Sequence, residues 1–130
     1  MSAARRKSPR KKKAPSLNGA PLEPAASSLG IVVASALDDM KAVNIKVLDV
    51  RKLSDIFDTL VIASGNSDRH VRSIADRVVE QAKRAGFRPL GIEGAKSGEW
   101  VLVDLGDFVV HVMLPRVREF YSLEKLWSVT

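Results

Sequence analysis

Four places in this 130-residue chain carry residue types that could do chemistry. Gly91-Ile92-Glu93-Gly94-Ala95-Lys96-Ser97 superficially resembles a phosphate-binding loop. That motif needs Gly directly before Lys-Ser and another five residues earlier, with a helix following. Here those positions hold Ala95 and Leu90, and the pattern that follows is a strand, so the likeness is accidental. Asp104, Asp107 and His111 could be drawn into a metal or acid–base group, but the two carboxylates straddle a turn and need not converge. Ser67 and His70 lie three apart at a helix start, where the serine is committed as an N-cap and no third member of a triad is present. Gly65-Asn66-Ser67 at a helix N-terminus could hold an anion, or be an ordinary strand–helix junction, which is the better reading. Cysteine is absent, which removes disulfides, thiolate metal sites and cysteine nucleophiles together. Two histidines, His70 and His111, are too few for a three-histidine metal site. His70 reads as an exposed first-turn residue and His111 as an interfacial one.

The elements that must position these residues are legible from periodicity. Residues 1–27 are rich in Pro, Ala, Ser and Lys/Arg and cannot bury enough apolar surface to order, so they read as a disordered basic tail. From Ser28, Leu29, Val32, Val33, Ala36, Leu37 and Met40 recur at helical spacing, with Ser27 or Ser28 able to cap the start. Strands follow at about Ile45–Val50 and Thr59–Ala63, the second nearly all apolar and so central in its sheet. Ser67 or Asn66 caps the longest helix, whose stripe is Val71, Ile74, Ala75, Val78, Val79 and Ala82 and which Gly86 ends. A third strand spans about Pro89–Glu93, and strand–helix–strand spacing favours a parallel, right-handed crossover. After Pro115, Val117, Phe120, Tyr121, Leu123, Leu126 and Trp127 predict one or two short helices. The fold class is α/β, in the order αββαβββα, with a mixed five-stranded sheet and flanking helices over residues 28–130.

The stretch Glu99–Leu114 organises the rest. Gly106-Asp107 suits a two-residue hairpin turn. Pairing across it puts Val101, Val103, Leu105, Phe108, Val110 and Val112 on one wholly apolar face. The other face carries Trp100 beside Met113, Leu102 beside His111, and Asp104 beside Val109. An aromatic anchor with depleted charge has the composition of a docking surface, unless a helix of the same chain covers it. A slip of one residue would exchange the two faces.

Charge divides sharply along the chain. The formal +6 lies entirely in residues 1–27, where Arg5, Arg6, Lys7, Arg10, Lys11, Lys12 and Lys13 face one acid, Glu23. Residues 28–130 hold fourteen basic and fourteen acidic residues, so the domain lacks the excess of a general nucleic-acid binder. The seven tail cations are the candidates for weak, non-specific RNA contact, against a purely solubilising extension. No apolar run approaches a membrane span and no secretory leader is visible, which predicts a soluble cytoplasmic protein.

Several separated motifs then occur in one order: Gly65-Asn66-Ser67-Asp68-Arg69-His70-Val71-Arg72, Pro89-Leu90-Gly91-Ile92-Glu93-Gly94, Trp100, Val103-Asp104-Leu105-Gly106-Asp107, Val110-His111-Val112-Met113, Tyr121 and Leu123-Glu124-Lys125-Leu126-Trp127-Ser128. Residues 28 to 128 closely resemble the ribosomal silencing factor family, RsfS, also called Iojap-like. The resemblance implies a translation repressor without enzymatic activity or cofactor. It would bind the large ribosomal subunit through ribosomal protein L-fourteen and sterically block joining of the small subunit under nutrient limitation. Organelle members act in ribosome biogenesis, which leaves a biogenesis or ribosomal-RNA-binding role as the alternative. The implied fold is nucleotidyltransferase-like; those enzymes need Gly-Ser opening a helix and an Asp-x-Asp for two metals. Here Asn66 interrupts the first and the second does not occur, so the fold is expected without its metal site. The implied partner surface comprises Trp100, Leu102, Asp104, His111, Met113 and Tyr121, with Glu124 and Trp127 left open because the last helix could pack on the core. An apolar hairpin face also leaves a homodimer off the ribosome open.

Overall fold

The computed structural model describes residues 28–127. The expectations for Arg5, Arg6, Lys7, Arg10, Lys11, Lys12 and Lys13 lie outside the described residues. The elements run α1 (Ser28–Asp39), β1 (Val43–Asp49), β2 (Thr59–Ser64), α2 (Asp68–Arg84), β3 (Gly91–Glu93), β4 (Trp100–Asp104), β5 (Phe108–Met113), α3 (Pro115–Tyr121) and α4 (Leu123–Leu126). They follow the expected order. The strands form one mixed sheet, β1-β2-β5-β4-β3, in which β2 and β5 are parallel and every other neighbouring pair is antiparallel. The crossover through α2 does not return the chain beside β2. It delivers β3 to the far edge of the sheet, and β5 and β4 later fill the gap.

Both helix ends of α2 are built from local chemistry. Ser67 is its N-cap, with Oγ accepting from the backbone N–H of His70 at 3.1 Å. At the other end Phe87 N–H donates to Ala82 C=O and Gly86 N–H to Lys83 C=O, the paired hydrogen bonds of a Schellman motif. The buried stripe is Val71, Ile74, Ala75, Val78 and Ala82. It packs with Leu29, Val33, Ala36 and Leu37 of α1 over one face of the sheet.

The hairpin has the register predicted from its turn: Trp100 opposite Met113, Val101 opposite Val112, Leu102 opposite His111, Val103 opposite Val110, Asp104 opposite Val109. Gly106 opens the loop at φ +90, a conformation costly for any residue with a Cβ, and Leu105 N–H donates to Phe108 C=O across it at 2.8 Å. Alternation then sends Val101, Val103, Leu105, Phe108, Val110 and Val112 into the core beneath α1 and α2. The opposite face joins a second, smaller core of Val50, Leu60, Ile62, Val109, Met113 and Val117, roofed by the segment after β1 and by α3 and α4. All six residues of β5 are therefore buried, three on each face, with His111 beside Val109 and Met113 on the side of the smaller core.

Candidate docking face

The catalytic readings dissolve into structural roles. The Gly94–Gly98 segment turns directly into β4, with no helix after it. Asp104 Oδ1 accepts from the Gly106 N–H at 2.9 Å, stabilising the hairpin turn. Asp107 is exposed, and its backbone carbonyl accepts from Asp58 and Thr59. Among the described residues no three His, Asp or Glu side chains converge as a metal site. His70 is half-buried and not the exposed first-turn residue expected. Its Nδ1 accepts from Asn66 N–H and its Nε2 donates to Met40 C=O, both at 2.8 Å. That ring clamps the end of α1 to the start of α2, and with Ser67 spent on the cap neither is available as base or nucleophile. The sequence did not mark this clamp because Met40 contributes only a backbone oxygen.

What remains is the outer face of the hairpin. There α3 and α4 cover the β2–β5 side and leave the β4–β3 side partly open. Trp100, Leu102 and Asp104 are half-buried, His111 is 7% exposed, and Met113 is 0% exposed. Met113 thus sits beneath the face and reaches no surface: β5 is central in the sheet, and Val117 of α3 packs in the same cluster. The indole of Trp100 donates from Nε1 to Nδ1 of His111 at 2.9 Å. Burial pushes the imidazole pKa down to about 4, so the ring is neutral and Nδ1 can accept.

On its outer side Trp100 meets Tyr121, with ring centroids 4.9 Å apart and planes at 50°. Tyr121 in turn meets Phe120 edge-to-face, 5.0 Å apart at 85°. Phe120 is 79% and Tyr121 53% exposed. These rings line an open groove of about 490 Å³, shared with Ser97, Glu99, Arg116 and Val117. In the sequence Phe120 counts only among the residues that predict the short C-terminal helices, with no place on the docking face. Pro115 at the first turn and the burial of Val117 and Arg118 fix the phase of α3 and turn Phe120 out.

Arg118 was missed altogether. It is a buried cation that donates from Nη1 to Ser64 Oγ at 2.9 Å and from Nε and Nη2 to the two carboxylate oxygens of Glu124 at 3.2 Å each. The six-residue spacing is not a helical one, and it becomes a contact only because Ser122 adopts a left-handed conformation at φ 50 and breaks the helix. Glu124 therefore belongs to the fold. Trp127 does too, packing edge-on against Phe57 at 5.4 Å.

A family model described as "Ribosomal silencing factor during starvation" matches residues 23–130. The chain is 50% identical over 93 residues to the ribosomal silencing factor RsfS of Chromobacterium violaceum, covering 72% of this chain and 76% of that one. It is 44% identical to RsfS of Bacillus subtilis, covering 75% and 82%. It is 37% identical to the mouse "Mitochondrial assembly of ribosomal large subunit protein 1", covering 75% of this chain and 44% of that one. The fold superposes on a crystal structure of a Chromobacterium violaceum protein with a TM-score of 0.75 and 46% identity, covering 76% of this chain and 82% of the other. Matched over residues 23–130 and similar in sequence and fold to these relatives, this chain belongs to the ribosomal silencing factor family.

Proposed function

We propose that this protein represses translation by binding the large ribosomal subunit at ribosomal protein L-fourteen and physically excluding the small subunit, with no reaction performed. The observation that carries this reading is the aromatic run of half-buried Trp100 with exposed Tyr121 and Phe120 beside the half-open face of the hairpin. Exposed aromatic residues are enriched at the centres of protein–protein interfaces, and the Arg116–Glu99 ion pair at the edge of this groove fits a polar rim. Burying a ring as exposed as Phe120 removes on the order of 150 Å² from water, worth about 3–4 kcal/mol before ordering costs. Trp100 and Leu102 extend that patch, and Asp104 supplies a negative charge at its margin for a basic group on the partner. His111 and Met113 support it from beneath.

The experiment is subunit joining reconstituted from purified components. The factor should co-sediment with large subunits and reduce joined ribosomes in proportion to occupancy. Co-sedimentation without any effect on joining would overturn occlusion and favour an assembly role, the reading favoured by the name of the mouse relative. Removal of residues 1–27 tests the tail. Docking through the hairpin face survives it with a shallower salt dependence, whereas RNA binding through the seven cations is lost.

A further inference from the structure

An indole has one hydrogen-bonding group, a single N–H donor. In Trp100 that donor is already committed to Nδ1 of His111 at 2.9 Å, inside the protein. The two residues are diagonal neighbours on adjacent strands, since Trp100 lies opposite Met113 and Leu102 opposite His111. That diagonal is within reach of long aromatic side chains. His111 is 7% exposed, so it has little surface of its own to offer a partner. Trp100 is held between two rings, His111 at 5.9 Å and Tyr121 at 4.9 Å.

We propose that His111 is a positioning residue of the docking face: by accepting the indole N–H it fixes the ring of Trp100 against Tyr121, and it leaves the partner only hydrocarbon to meet. This rests on the docking role given above to Trp100. The surface that closes over the indole is then aliphatic or aromatic. A partner group offering a hydrogen-bond acceptor to the ring gains nothing, because the donor is turned inward and used. Specificity at this position is by shape and apolarity, and the polar part of recognition falls to the margin.

The test uses the full chain at neutral pH, labelled with ¹⁵N. The His111 ring is expected as the Nε2–H tautomer, with Nδ1 resonating as a hydrogen-bonded acceptor and the Trp100 indole N–H protected from exchange. A protonated Nδ1, or an indole N–H exchanging at the solvent rate, would overturn the proposal without any substitution being made. Affinity for isolated large subunits then tests the consequence. His111→Phe keeps a ring but removes the acceptor, and should weaken binding about tenfold, the value of one lost hydrogen bond. His111→Asn places an oxygen near the position of Nδ1 and should bind within about threefold of the unsubstituted protein. Equal binding by the Phe variant, or an Asn variant that folds yet binds as poorly as the Phe variant, sinks the positioning role. Undiminished binding by Trp100→Ala sinks the docking role instead, while the tautomer and exchange results stand.

Discussion

Arg118 and Glu124 grip each other through two hydrogen bonds of 3.2 Å across the break at Ser122, and the third arm of the guanidinium holds Ser64 at the end of β2. One buried cation thus pins α3, α4 and the sheet together, and so places Tyr121 over Trp100. The arginine beside Glu124 holds its carboxyl below the usual range, chiefly through the side-chain hydrogen bonds. Removing the carboxylate leaves the guanidinium buried with Ser64 alone. Glu124→Ala should therefore lower unfolding stability by about 1–2 kcal/mol. Chemical denaturation measures that loss, and a weaker affinity for large subunits should accompany it because Tyr121 is displaced.

Acid should destabilise the protein through His111. Its imidazole is pushed from about 6.5 down to about 4 by burial, so between those values the unfolded chain binds a proton that the folded one refuses. Stability is full above pH 6.5 and falls as the pH drops towards 4, by up to about 3 kcal/mol. Glu124 acts in the same direction lower down: its contribution is present above its unfolded value and is lost as the pH falls through its depressed folded value. Urea unfolding between pH 7 and 4 checks the slope. In His111→Phe the fall between pH 6.5 and 4 should flatten, and an unchanged slope would assign the acid sensitivity elsewhere.

The docking face should respond to single changes on either side of the groove. Trp100→Ala should weaken binding to large subunits at least thirtyfold, or about 2 kcal/mol. Phe120→Ala should cost about tenfold with almost no change in unfolding stability, because that ring touches little of its own chain beyond Tyr121. Asp104→Asn preserves an oxygen for the Gly106 N–H and tests the charge alone. Asp104→Lys should exceed the Trp100→Ala loss by setting like charges together. Sedimentation binding at two salt concentrations separates the charge effect from the apolar one.

Gly94 should tolerate no side chain. It sits at φ +82, and a Cβ there would run into the backbone carbonyl oxygen of Trp100. Gly94→Ala must shift the turn into β4, at an expected cost of about 2–4 kcal/mol. The start of β4 moves with it, so thermal unfolding and large-subunit binding should both deteriorate.

The hairpin was legible because three independent signals agreed on it: a turn that demands glycine, strict alternation on both strands, and a wholly apolar face. The stripes of α1 and α2 were legible for the same reason, a period repeated over several turns. The ends of β1 were not. It begins at Val43 through a bulge in which Asn44 takes φ 51, and nothing in the local pattern announces a left-handed residue inside a strand. The Arg118–Glu124 grip and the His70 clamp depend on a helix break and on a backbone oxygen, features that residue types alone do not encode. The exposure of Phe120 was not legible because seven residues give too short a period to fix the phase of a helix. Trp100 itself fell between the two alternatives read from the sequence: its own chain holds one side and leaves the other open.

The two-residue loop at Gly106-Asp107 has a consequence for how this protein can vary. Because β5 supplies alternate residues to opposite faces of the sheet and is held in phase by β2, a one-residue insertion at that loop that carried through into the register would invert β4 alone, turning Val101 and Val103 outward and Trp100 in beneath α1 and α2. The number of residues in that loop therefore helps decide which face of the sheet carries the indole. Insertions have room to accumulate in the exposed part of the connection after β1, between Val50 and Phe57, where no strand pairing depends on parity.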